Sequence, residues 1–378
     1  MDDRLRLVIL RERLRRSPLY SLFLLVRKAA GTRQFWAKFG LMKLLPEASP
    51  AAHTRVTGSR PPGRMLRKAF TLGGSTIQKE KILKKDNMRR GFAILVSGIT
   101  FAVGLIISRV FFYVVGFGAP RLPEQAPEAI AGFYLIAGSL VLSIGLVLIA
   151  EGINTSFLVR WLLLDIFVFL GFAVSTTIEA SIYSSATGML SIIPVLLFPS
   201  TLATGVLSQI LSPPARNWNI RKQISHFGNS RTFSEWGWRI VLAIVSFPVI
   251  YFIFGLIVAP IVTNYYANGV SGLALPSLSK IIQVQFIRSA IHLIAVVPII
   301  ALWKGKRQHL VLALALAFFV FVFAYDLVFA IQTPIVLIFV HGVEVLADSL
   351  VYAWVLVSLL MVYKSPLLER SPPNPASS

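Results

Sequence analysis

Eight apolar runs of bilayer length govern what this chain can become. They fall at about Gly91–Phe117, Ala129–Ala150, Phe157–Thr177, Ala186–Ile210, Arg239–Val262, Ile281–Trp303, Leu310–Ile331 and Ile335–Tyr363. About 20 residues of helix cross the roughly 30 Å of hydrocarbon. With no water in that layer, the backbone must satisfy its own hydrogen bonds, which leaves helices or closed barrels. Runs this long and continuously apolar predict an all-α integral membrane protein, a polytopic bundle of about eight helices. The third run is the weakest, because Arg160 and Asp165 interrupt it.

Composition agrees: 56% of residues are hydrophobic and 14% charged, with a mean hydropathy of +0.73. The formal charge of +21 is unevenly placed, since residues 1–90 hold 22 Lys/Arg against 6 Asp/Glu. Residues 1–88 therefore read as a basic, amphipathic and partly disordered cytoplasmic segment. In it Phe35, Trp36, Phe39 and Met42 alternate with Arg33, Lys38 and Lys43, a pattern suited to anionic lipid at a membrane surface. Residues 48–74, rich in Pro, Gly, Ser and Thr, read as a linker. Met88, followed by Arg89, Arg90 and the first span, is an alternative start. No nucleic-acid motif accompanies the basic charge, so no nucleic-acid partner is expected.

The expected domains are thus 1–88, a transmembrane domain over 89–363 and a short tail over 364–378. Arg216, Arg221, Lys222 and Arg231 fall in one connection, Lys304, Lys306 and Arg307 in another, and Lys364 and Arg370 in the tail. All land on one side of an eight-span topology, so the positive-inside rule predicts that both termini are cytoplasmic, in a cell membrane. In the second span Ala131, Gly138, Gly145 and Gly152 recur every seven residues, a seam on which another helix can approach closely.

The last span carries the sharpest chemical signal. His341, Glu344 and Asp348 lie at i, i+3 and i+7 and share a helix face that Tyr352 continues. Ionisable groups on a membrane helix are costly unless they face partners, water or a ligand. The sixth span repeats the spacing with Gln285, Arg288 and His292. Asp326 precedes the Thr333-Pro334 turn by as many residues as separate His341 from it, so the two should lie at one depth. An acidic stripe facing a cationic one, with Arg288 close to Glu344, is the expected site, placed in the outer half by the predicted orientation. Arg109 and Asp165 are secondary candidates. Arg109 and Glu179 lie near span ends, where long side chains reach the interface. Arg160 is a candidate partner for Asp165.

These residue types suit a transporter or permease, with the carboxylates and histidine exchanging protons and Arg288 anchoring an anion or serving as counter-ion. They also suit a membrane-embedded enzyme acting on a lipid or lipid-linked substrate, or a structural network in a scaffold subunit. There is no HExxH, no diphosphate-binding aspartate repeat, no phosphate-cradling loop and no Gly-x-Ser-x-Gly elbow. With no cysteine either, no metal, cofactor or catalytic nucleophile is assigned.

Overall fold

The computed structural model describes residues 63–116, 128–153, 155–184, 188–211, 220–329 and 334–362. The amphipathic stretch 33–43 and the C-terminal tail lie outside them. The helices are α1 (Gly63–Val114), α2 (Glu128–Gly152), α3 (Phe157–Val168), α4 (Thr176–Tyr183), α5 (Ile192–Leu211), α6 (Ile220–Gly228), α7 (Phe233–Ala267), α8 (Leu278–Leu302), α9 (Arg307–Phe329) and α10 (Ile335–Leu360). A π-helical segment, Phe169–Ser175, joins α3 to α4 without a break. Among the described residues, eight helical stretches are long and apolar enough to span a membrane: one each in α1, α2, α5, α7, α8, α9 and α10, and the joined α3–α4. The protein is an integral, multi-pass helical membrane protein.

Some boundaries differ from expectation, the fifth span for one running Phe233–Ala267 rather than Arg239–Val262. Residues 63–74 were read as part of a linker, yet α1 starts at Gly63 and continues unbroken into the first span. The third span runs on to Tyr183 rather than ending near Thr177. The polar residues that cast doubt on it are satisfied locally. Arg160 is fully buried and donates to the carbonyls of Ile153 (2.9 Å) and Thr155 (3.0 Å). Asp165 accepts from the Thr201 hydroxyl on α5 (3.1 Å) rather than from Arg160. A charge bonded in this way costs far less to bury.

The glycine seam of α2 packs as its heptad spacing implies, mainly on α9. A Cβ on Gly138 would meet Val328 and the Ala324 carbonyl, one on Gly145 would meet Val320, and one on Gly152 would enter the ring of Trp303. Small residues here let the helices approach within side-chain contact, which is what holds membrane helices together where no hydrophobic effect separates them from lipid. Next to this seam, Phe167, Phe172 and Phe321 form an aromatic cluster, with Phe167 and Phe321 centroids 4.9 Å apart.

One end of the bundle is rich in arginine. There Arg90 pairs with Glu151 (2.7 Å), Arg89 donates to the Ile210 carbonyl (2.7 Å), and Lys304 N–H donates to the Gly152 carbonyl (3.3 Å). Arg231 and Arg239 donate to the last carbonyls of α10, at Leu359, Leu360 and Met361. Helix C-termini leave such carbonyls without internal partners, and a cation there also complements the helix dipole. α7 begins beside them with a reciprocal cap between Thr232 and Glu235. At the opposite end, Ala274 N–H donates to the Tyr183 carbonyl (2.8 Å), tying the close of α4 to the connection before α8. The polar cluster described next lies toward this second end.

Candidate functional site

α8 turns its polar face inward. Gln285, Arg288, Ser289 and His292 are all buried, and their spacing keeps them on one side of the helix. Arg288, 3% exposed, is held on several sides. It forms an ion pair with Glu179 of α4, donates to Gln285 Oε1 (2.9 Å) and to Ser175 Oγ (3.2 Å), and lies over the Phe247 ring at 5.3 Å. Gln285 donates in turn to Glu179 Oε1 (3.4 Å). A buried guanidinium needs this set of acceptors to offset its desolvation.

Ser175, the last residue of the π segment, is the hinge of the arrangement. Its oxygen accepts from Arg288 Nε and also lies 2.9 Å from His292 Nε2, a hydrogen bond whose direction the imidazole tautomer sets. His292 Nδ1 is buried with no hydrogen-bond partner. The rings of Phe247 and Phe318 flank the imidazole at 5.1 and 5.0 Å. A π turn carries an extra residue per turn and often marks a functional position in a helix. Here it is packed against Phe321, whose ring touches the space a Cβ on Gly171 would fill.

α10 supplies the acidic side. His341 Nδ1 lies 3.2 Å from Glu344 Oε2, and His341 Nε2 lies 3.7 Å from Asp326 Oδ2 on α9. The hairpin thus brings Asp326 and His341 to one level, as their equal distances from the turn require. Two turns deeper, Asp348 is 9% exposed, and its buried Oδ1 has no hydrogen-bond partner. Tyr352 follows, its hydroxyl 3.4 Å from Ser289 Oγ, which itself bonds the Ile244 carbonyl at 2.8 Å.

Between these faces lies a cavity of about 40 Å³. Its polar lining comprises Glu179, Arg288, His292, His341, Glu344 and Asp348, and its apolar lining includes Phe247, Phe318 and Phe321. At 10–15 Å³ per water, it has room for about three waters. The ionisable side chains fall in exposure from His341 at 35% and Asp326 at 23% to Glu344 at 9%, and Asp348 is also 9% exposed. They form a polar file leading from a partly open edge into the core.

Of the residues expected at a site, His341, Glu344, Asp348, Asp326, Arg288, His292, Gln285 and Tyr352 are gathered in and around this cavity. Arg109 and Asp165 are elsewhere: Arg109 lies on the exposed side of α1, and Asp165 bonds α5. Two readings need correction. The carboxylate paired with Arg288 is Glu179, on the joined α3–α4 span, not Glu344. Glu179 itself does not reach for an interface; it is buried and paired. Sequence reasoning missed Ser175 and Tyr251 as well. The available signal was the ionisable Glu179, two residues after the polar run Ser175-Thr176-Thr177 in the third span. Among the described residues, no group of three or more His, Asp or Glu side chains is disposed to hold a metal ion.

Fold and site together define a polytopic α-helical membrane protein with a buried, charge-rich cavity. Comparison with protein-family models, with curated proteins and with solved structures finds no match to this chain.

Proposed function

We propose that the protein is a transporter or permease whose ligand and protons meet in this cavity, formed mainly by α8 and α10. The observation that carries the reading is Asp348: a carboxyl at the deep end of a file of ionisable groups, with one oxygen buried and bonded to nothing. A bundle that needed polar residues only for cohesion would satisfy them, as it satisfies Asp165 through Thr201. An unmet acceptor beside a small cavity is instead suited to a group that comes and goes. Carrying the basic connections and both termini on the cytoplasmic side puts the cavity in the outer half of the membrane, with His341 and Asp326 at its mouth.

The pairing of His341 with two carboxylates also resembles a general base with its orienting acids, which supports an enzymatic role. The cavity volume favours transport, since a lipid headgroup needs several times the space of about three waters.

The test is proton movement into liposomes that hold the purified full-length chain and a trapped pH-sensitive dye, assayed against a panel of amines, organic acids and sugars. Ligand-dependent flux in the wild type that Asp348→Asn abolishes, with the variant still inserted and folded, supports the proposal. Equal flux in the variant, or none from the wild type across the panel, overturns it.

A further inference from the structure

The chemistry of the cavity also selects the charge of its ligand, an inference that rests on the transport reading of the same site. Arg288 was the obvious anchor for an anion, but Ser175 takes its Nε–H, Gln285 and Glu179 its Nη1, and Phe247 covers one face. An incoming anion would have to displace a buried carboxylate. The acids of the cluster, by contrast, are in excess. Glu179, Asp326, Glu344 and Asp348 supply four carboxyl groups against Arg288, and the count stays negative even with His292 and His341 both protonated. Asp348 alone among them has an oxygen buried without a partner.

The apolar lining matches the same ligand. Phe247, Phe318, Tyr251 and Tyr352 bound the cavity, and aromatic faces attract cations through their quadrupoles. From these observations we propose that the ligand is a small organic ammonium ion, bound by Asp348 against this aromatic lining. The room for about three water-sized units limits it to a methylammonium- or ethylammonium-sized head. A buried carboxylate needs a positive partner, so proton and ammonium compete for Asp348 and the site exchanges one for the other. No covalent bond changes; the proton leaves the carboxyl as the ammonium enters. The groups that face Asp348 from neighbouring elements are Glu179 on α4, Tyr251 on α7, and Arg288 and His292 on α8. On its own helix they are His341 and Glu344. Of these, Tyr251 is tied to Tyr183 (2.7 Å) and Arg288 to Glu179.

The experiment measures binding first and flux second, so the two readings fail separately. Full-length protein in detergent is titrated with methylammonium, with acetamide as neutral control and acetate as anionic control, by calorimetry between pH 6 and 8. Saturable methylammonium binding is expected, tightening with rising pH by up to about tenfold per unit, the limit for displacing one proton. Asp348→Asn should weaken it at least tenfold. Should that variant misfold, the ligand series on the wild type decides independently: acetate or acetamide binding as tightly as methylammonium, or no methylammonium binding, overturns the proposal. The same ligands are then added to dye-loaded liposomes. Methylammonium binding without proton release across the membrane keeps the ligand class and sinks the transport reading. Proton flux driven by other compounds, without methylammonium binding, does the reverse.

Discussion

Arg288 of α8 is neutralised by Glu179 of α4, a partner one helix away from the acidic face that the sequence sets opposite it. Both residues are buried, and Gln285 and Ser175 complete the polar set. The pair therefore belongs to the scaffold of the cavity. Arg288→Ala should strand a buried carboxylate and Glu179→Gln a buried guanidinium, each lowering stability by about 3–5 kcal/mol. With both changed, the loss should be clearly smaller than the two combined, because no charge is left unpaired. Thermal unfolding of the four proteins in one detergent checks this, and additive losses would show that the pair does not couple.

His341 should behave in the opposite way. Its side chain is over a third exposed, and its contacts to Glu344 and Asp326 lie at the open edge of the cavity. Exposed ion pairs contribute only about 0–1 kcal/mol. His341→Ala should leave the melting temperature within a few degrees of wild type while slowing proton movement in dye-loaded liposomes. A large thermal loss with unchanged flux would make it structural.

How much of this was readable beforehand follows from what helical periodicity encodes. Spacing along one helix set His341, Glu344, Asp348 and Tyr352 on one face, and counting from a tight turn matched Asp326 with His341. The seven-residue glycine repeat of α2 likewise foretold a close neighbour. Spacing does not encode the rotation of one helix against another, so Arg288 was assigned to the nearest acidic stripe, that of Glu344. Glu179 escaped for a local reason. The third run was read as ending near Thr177, which set Glu179 at the interface, whereas the span runs on to Tyr183 and buries it.

The arginine-rich end offers a test of how α10 is anchored. Arg231 donates three hydrogen bonds to the carbonyls of Leu359, Leu360 and Met361, and Arg239 adds another to Leu359. Bonds from charged donors contribute about 1.5–3 kcal/mol each at most, less where water competes. Arg231→Ala should cost about 1–2 kcal/mol in thermal stability, and Arg231→Lys should recover only part, since an ammonium cannot span several carbonyls with a planar fork. Full recovery by lysine would show that charge near the helix end, rather than the fork geometry, is what matters.

The α2 seam can be probed within a single helix. A Cβ on Gly152 would overlap the Trp303 ring, whereas one on Gly132 would meet nothing within 4 Å. Trp303 is buried, and its indole N–H is directed at the Lys306 carbonyl (3.3 Å), so the ring has little freedom to retreat. Gly152→Ala must then push α2 away from the start of α9, at about 1–3 kcal/mol for overpacking. Gly132→Ala keeps the contacts and gains up to about 1 kcal/mol of helix propensity. Thermal unfolding should therefore move in opposite directions for the same chemical change. If both variants shifted together, intrinsic propensity would dominate, and the close approach of α2 to Trp303 would not control the stability of the bundle.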